Sequence, residues 1–178
     1  NFPNLNTRII KVKVSVQPTL KNLPNKKKKL ITFMSRKHPF HSSLVINFLQ
    51  KYLPKDWKLK DLKDMDEREV YKYLGQSKIF LAFSNLEGLA LPPVEASLCG
   101  NFVIGYTGEG AKDYWRKPLF TEVFSGDLRN FVKEIMKKVS KDNLNYKKHL
   151  NQYNWLRNEF SKKNEIIHIK NFLNLIND

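Results

Sequence analysis

The sequence predicts an α/β protein built on a doubly wound parallel sheet, with helices closing its C-terminal end. Two observations carry that prediction. Short apolar runs bounded by turn residues alternate with amphipathic stretches of helical period, the signature of strands buried on both faces and joined by helical crossovers. The last third lacks such runs and reads as helix throughout.

Arg8 to Val16, "RIIKVKVSV", alternates apolar and basic residues and is expected to be a strand with one wet face, broken by Pro18 and Pro24. After the lysines at 26–29, "LITFMS" is a continuous apolar segment that reads as a buried parallel strand whose C-terminal end carries Ser35, Arg36 and Lys37. "SSLVINFLQKYL" places Leu44, Val45, Phe48, Leu49 and Leu53 on one helical face, with Ser42 or Ser43 as a cap. "WKLKDL" from Trp57 is a second, more polar strand. "MDEREVYKYLGQ" offers Asp66 as N-cap, Glu69 three residues later and Gly75 at the stop.

"KIFLAFS", ending at Ser84, is the clearest strand, "NFVIGY" from Asn101 is another, and "EVF" at Glu122 is a weaker last one. Pro92 to Cys99 reads as a helix with proline in its first turn and Gly100 at its end. "LRNFVKEIMKKV" carries an apolar stripe of Leu128, Phe131, Val132, Ile135, Met136 and Val139. Two further helical patterns cover about Tyr146 to Phe160 and Lys162 to Leu175, with Trp155 and Phe172 as expected anchors.

The 178 residues suffice for one domain that buries roughly 70% of its unfolded surface. No apolar run approaches the roughly 20 residues that span a bilayer. The single cysteine, Cys99, excludes an internal disulfide and a cysteine-based zinc cluster; it fits a reducing compartment, so the cytoplasm is the expected location. His38 and His41 flank Pro39 with no carboxylate at ligand spacing, and read as surface histidines rather than metal ligands. Thirty-two Lys and Arg against 17 Asp and Glu give a net charge of +15, which attracts phosphorylated ligands, anionic membrane surfaces or nucleic acid. Nucleic-acid binding has only that charge and several aromatics behind it, without an RNA-binding, zinc or helix-turn-helix signature, and is not expected.

In an open α/β sheet, ligands bind at the C-terminal ends of the strands. Three such ends carry polar residues: Ser35-Arg36-Lys37, the stretch from Ser84 to Leu91, and the glycine loop around Glu109. A guanidinium, an ammonium and the N-terminus of the Pro92 helix converging on one crevice make a diphosphate site. Glu87 and Glu95 are then left for hydroxyls, because a carboxylate accepts two hydrogen bonds from a vicinal diol, and Gly88 lets the backbone approach. In isolation, Glu95 near a helix start also reads as a cap-region residue and Glu87 as a loop charge.

"EGLALPPVEA" resembles the E-x7-E element in the C-terminal domain of retaining glycosyltransferases with the GT-B fold, especially the group 1 (GT4-like) family, whose members read much like EGFGLPPLEA. "KIFLAFS", "SLCGNFVIGYTGEGAKDYW" and "FMSRK" resemble the flanking strand, the helix, strand and glycine loop that follow, and the first strand with its phosphate-binding arginine; the likeness covers about Lys29 to Trp115. The resemblance implies a Rossmann-like domain, one half of a GT-B fold, that binds a UDP- or GDP-linked sugar as substrate and needs no metal or other cofactor. It assigns Glu95 to the nucleotide ribose, Glu87 to the neighbourhood of the transferred sugar, the backbone amides of Gly88, Leu89, Ala90 and Leu91 to sugar and diphosphate, and Arg36 to the leaving group. Ser35 and Lys37 join the donor site, and Glu109 is a sugar-side contact. Lys37 departs from the family spacing, where the lysine follows several residues after the arginine.

The implied activity is transfer of a hexose-type sugar to an acceptor glycan, lipid-linked or on protein, with retention of anomeric configuration, as in polysaccharide or glycan biosynthesis. Residues 1–25 are then a lead-in strand and interdomain linker, 26–145 the donor-binding domain and 146–178 the C-terminal helices. GT-B enzymes bind acceptor mainly through an N-terminal domain that this chain lacks, so by itself it is expected to bind nucleotide and hardly catalyse. The Asn1 start agrees with a piece of a two-domain enzyme. A non-catalytic sugar-nucleotide-binding or assembly module is the alternative. The basic surface also suits peripheral contact with an anionic membrane.

Overall fold

The computed structural model describes residues 12–16, 27–141 and 144–177. Five parallel strands form its centre: β1 (Leu30–Phe33), β2 (Lys58–Asp61), β3 (Ile79–Glu87), β4 (Phe102–Glu109) and β5 (Phe120–Glu122), in the order β2-β1-β3-β4-β5. The helices are α1 (Pro39–Tyr52), α2 (Glu67–Gln76), α3 (Leu91–Leu98), α4 (Leu128–Ser140), α5 (Leu150–Glu159) and α6 (Lys162–Asn177). The sheet is thus all-parallel, Rossmann-like and followed by helices, as the alternation of apolar runs predicts.

Each face of the sheet has its own core. On one side Val45 and Leu49 of α1 and Phe131, Ile135 and Val139 of α4 pack on Ile31, Phe33, Leu81, Phe83 and Tyr106. On the other, Tyr71 and Leu74 of α2, Val94, Ala96 and Leu98 of α3, and Leu156 of α5 pack on Phe80, Ala82 and Val103. Alternate residues of β3 therefore serve opposite cores, which is why this strand is apolar without a break from Ile79 to Phe83. Edge strand β2, "KLKD", is only half-buried and keeps its lysines.

The edge of the sheet at the strand N-termini is closed by polar groups. Lys27 Nζ donates to the carbonyls of Leu74 (3.1 Å), Ser77 (2.8 Å) and Cys99 (2.5 Å), satisfying the ends of α2 and α3 together. Buried Asn101 donates to the carbonyls of Leu74 and Ala96, both at 2.8 Å. Burial lowers the Lys27 ammonium to about 7 and pushes the Cys99 thiol up to about 12, so Cys99 is packing, as expected.

Several local expectations are corrected. Residues 8–11, 17–26, Asn143 and Asp142 lie outside the described residues. The described part of the first expected strand, Val12 to Val16, belongs to no sheet; Val16 N–H donates to the Phe160 carbonyl and Ser15 to Glu165, so this segment follows the C-terminal helices. Helix α1 begins at Pro39, placing Ser42 inside it, buried and bonded to the Pro39 carbonyl, while Leu44 and Phe48 are exposed. Gly75 is inside α2, which ends at Gln76 with Ser77 as its C-cap, although Asp66 caps its start by accepting from Glu69 N–H at 2.8 Å. The last strand lies earlier than "EVF", because Phe120 and Thr121 pair with β4. Trp155 packs on the core, whereas Phe172 is exposed.

Candidate donor-binding site

Strand order fixes where a ligand crevice can form. The chain leaves β1 toward β2 on one side and returns to β3 on the other, so the connections at the C-terminal ends of β1 and β3 diverge and leave a gap, the topological switch point of such sheets. Both sides of that gap carry charge. After β1, Ser35–Lys37 forms a single 3-10 turn. Its position is set by Asp61 at the end of β2, which accepts from Ser35 N–H at 3.2 Å. Arg36 is exposed on this turn, and Lys37 reaches across the gap to Glu87 Oε1 at 2.6 Å.

Beyond Glu87 the chain runs through Gly88 and Leu89 into α3. Gly88 is exposed, with open space where a Cβ would stand. Its carbonyl packs against Gly110, whose Cβ would lie 1.9 Å from that oxygen, and Gly110 N–H donates to the Glu87 carbonyl at 3.1 Å. Tyr114 anchors the next residue, donating from its hydroxyl to the Ala90 carbonyl at 2.5 Å. The loop is therefore held by backbone and by a buried tyrosine, while Gly88 stays exposed. Pro92 and Pro93 occupy the first turn of α3 and carry no N–H, so an anion here depends on the amides of Gly88, Leu89, Ala90 and Leu91.

Glu95 sits in the second turn of α3, half-buried, and its Oε1 accepts from the Tyr71 hydroxyl of α2 at 3.2 Å. Burial raises its pKa; the Tyr71 hydrogen bond opposes that shift, and the charge of Glu67 adds to it. A carboxylate held in a partly desolvated position with a single protein donor retains acceptor capacity for a diol. It is not the solvated cap residue that its position near a helix start suggests.

Lys37 and Glu87 thus line a narrow pocket at the ends of β1 and β3 with Met34, Ser84, Pro92 and Pro93; Arg36 and Gly88 are exposed near it, Ala90 is buried, and Glu95 follows in the second turn of α3. Glu109, at the end of β4, is the sheet partner of Glu87. It adopts a left-handed conformation with φ 69°, is exposed, and pairs with Lys112 at 2.6 Å. It lines an adjoining cleft of about 270 Å³ with Ser84, Leu86, Thr107, Lys112 and Phe124, over the ends of β3, β4 and β5. Trp57 is buried in the core on the α1 side of the sheet.

Three supporting residues were not foreseen from the sequence: Asp61, Tyr71 and Tyr114. Tyr71 carries a signal, since a tyrosine three residues before Leu74 on the buried face of a helix needs a hydroxyl partner. His38 and His41 are not the simple surface residues expected. Their rings stack at 3.8 Å, and His41 Nδ1 lies 3.2 Å from the Tyr106 hydroxyl. Among the described residues no group of three or more His, Cys, Asp or Glu gathers as a metal ion requires.

The fold defines a Rossmann-like α/β domain, with the Lys37–Glu87 pair at its switch point. No protein-family model matches the sequence, and no curated protein matches it. Among solved structures the chain is similar to the crystal structure of TarM, with a TM-score of 0.59 and 16% sequence identity over 92% of this chain. It spans 38% of the length of the TarM chain.

Proposed function

We propose that this chain is the nucleotide-sugar-binding domain of a retaining, GT4-like glycosyltransferase of the GT-B fold. The observation that carries the proposal is the Lys37–Glu87 pair across the switch point, next to the exposed Gly88 and followed on α3 by the half-buried Glu95. The likeness to TarM, a glycosyltransferase, supports the class.

In this reading Glu95 accepts hydrogen bonds from the ribose hydroxyls, and its charge is kept available by Tyr71. The diphosphate lies over the amides of Gly88 to Leu91 and is neutralised by Arg36 and Lys37. Charge develops on the diphosphate as its bond to the anomeric carbon breaks, so cations fixed beforehand lower the barrier. Glu87 stands beside the transferred sugar. Lys37 bridges both roles, since an ammonium between Glu87 and the diphosphate offsets the repulsion of two anions at close range. The acceptor takes the place of the leaving group on the same face of the sugar, and an N-terminal domain beyond this chain binds that acceptor.

Calorimetric titration with UDP, GDP and ADP at moderate salt tests the proposal, with Glu95→Ala and a short DNA duplex alongside. Binding of one nucleotide, weakened by the substitution, is the expected result. Binding of DNA alone, with steep salt dependence and no response at Glu95, would replace the proposal with simple polyanion attraction.

A further inference from the structure

Helices α1 and α4 lie side by side on one face of the sheet and leave an apolar groove of about 500 Å³ between them. Leu44 and Phe48 of α1 and Leu128, Val132 and Met136 of α4 line it, with Arg129 and Lys133 at its rim. The groove continues along α1 as an exposed row at four-residue spacing: Phe40 (68% exposed), Leu44 (42%), Phe48 (39%) and Tyr52 (52%). The rings of Phe48 and Tyr52 lie 4.4 Å apart at a tilt of 34°, and Lys51 Nζ lies 5.4 Å from the Tyr52 ring. The core below is filled by Val45 and Leu49 of α1 and by Phe131, Ile135 and Val139 of α4, so the exposed row of α1 lies outside it.

The charges on the same face are mostly basic. Helix α1 contains no Asp or Glu, and the only acidic residue of α4 is Glu134, which pairs with Lys137 at 3.5 Å. Arg129, Lys133 and Lys137 follow one another at four-residue spacing, so they form a cationic row on α4 beside the apolar row of α1. Aromatic and leucine side chains next to a row of cations match the layered chemistry of a bilayer surface, apolar just below a sheet of anionic headgroups. No helix among the described residues is long and apolar enough to cross a membrane, so contact through these helices is peripheral.

We infer that the α1–α4 face docks on the surface of an anionic lipid bilayer, with Phe40, Leu44, Phe48 and Tyr52 at the depth of the headgroups and Arg129 and Lys133 on the phosphates. The inference is independent of the donor reading, because neither helix supplies Glu87 or Glu95. It has one geometric consequence for that site. Helices lying flat on the bilayer set the strands roughly parallel to it, so the crevice at the strand ends opens along the membrane plane, where an amphiphilic acceptor would approach.

The test is co-sedimentation of the chain with vesicles of phosphatidylcholine alone or of equal parts phosphatidylcholine and phosphatidylglycerol. The expected result is binding to the anionic vesicles only. It should fall at least about tenfold in Arg129→Glu/Lys133→Glu, as expected for about 1 kcal/mol per basic residue at such a surface. It should fall likewise in Phe40→Ser/Phe48→Ser, with UDP or GDP binding unchanged in both. Lys72→Glu/Lys163→Glu makes the same charge change at exposed positions on α2 and α6 and should bind nearly as well as the parent. Equal loss in that control would overturn the inference in favour of net charge without a preferred face. Cys99 is buried, so an environment-sensitive fluorophore on Leu44→Cys reports insertion selectively. A blue shift with anionic vesicles is expected. No shift, or a shift only with an acidic protein, contradicts docking on lipid.

Discussion

Lys37 Nζ and Glu87 Oε1 meet at 2.6 Å across the gap between the ends of β1 and β3. The two residues are 50 apart in sequence, and the contact exists because the strand order makes β1 and β3 neighbours whose connections diverge. Both side chains are partly exposed, so the pair adds at most about 1 kcal/mol to stability. Its value lies in holding an ammonium above the loop that begins at Gly88. Lys37→Met should therefore leave the melting temperature nearly unchanged while weakening binding of a nucleoside diphosphate roughly tenfold, and should barely affect the parent nucleoside. Comparing the two ligands by calorimetry checks this.

Glu95 is expected to trade stability for binding. Its pKa is raised in the folded chain, so between the ordinary carboxylate value and that raised value the folded state holds the extra proton. The contribution of this group to stability is therefore full at low pH and is lost as pH rises through the raised value. Glu95→Gln should remove that pH dependence and leave the chain as stable as the parent or more so at neutral pH, while nucleotide binding falls. Thermal melts across pH, paired with titrations, measure both sides.

Tyr71 acts through Glu95. Its hydroxyl favours the ionised carboxylate, so Tyr71→Phe should raise the Glu95 pKa further and move the acid limb of nucleotide binding to higher pH. A purely structural role would lower stability without moving that limb. A pH series of nucleotide affinities separates the two.

Lys27 belongs to the opposite edge of the sheet and should behave in the opposite way. Replacing it with methionine leaves three helix-end carbonyls without its ammonium, a loss on the order of 2–3 kcal/mol, with nucleotide affinity unchanged in the chain that remains folded. The folded pKa is depressed to about 7, so from there up to the unfolded lysine value the unfolded chain holds more protons and stability rises with pH. Lys27→Met should abolish that rise, as urea melts at pH 7 and pH 9 will show.

Gly110 tests the geometry of the loop itself. A Cβ there would meet the Gly88 carbonyl at 1.9 Å, and its other near neighbours are backbone atoms with nowhere to turn. Gly110→Ala should displace the Glu87–Gly88 segment, costing about 1–3 kcal/mol and most of the nucleotide affinity. Gly88→Ala, with open space at its Cβ, should fold normally. Melts and titrations of the two variants make the comparison.

Much of this architecture is legible from pattern alone. β3, β4, α3 and α4 fall where apolar runs, prolines and the amphipathic stripe place them, because buried parallel strands and a strongly amphipathic helix leave little choice. The crevice is also legible in part: a basic turn after β1 and a glutamate loop after β3 must share an edge once the sheet is parallel. Contacts set by tertiary packing are not. Lys37 reaching Glu87, Tyr71 reaching Glu95 and Gly110 sitting on Gly88 depend on crossover geometry rather than on local spacing. Val12 to Val16 misleads because an alternating apolar–basic stretch suits any half-wet surface, and here that surface is the C-terminal helices. Leu44 and Phe48 mislead because helical spacing gives α1 two apolar rows and does not say which one faces the sheet.

The central claim is that Glu95 holds a ribose in the β1–β3 crevice, and one double comparison reaches it directly. The nucleoside diphosphate that binds is titrated beside its 2′,3′-dideoxy counterpart, in the parent chain and in Glu95→Gln. Charged hydrogen bonds to the diol predict that removing both hydroxyls costs the parent on the order of tenfold to a hundredfold in affinity and costs the variant far less. Equal discrimination in the two chains would contradict the account, because the ribose would then be held by something other than Glu95.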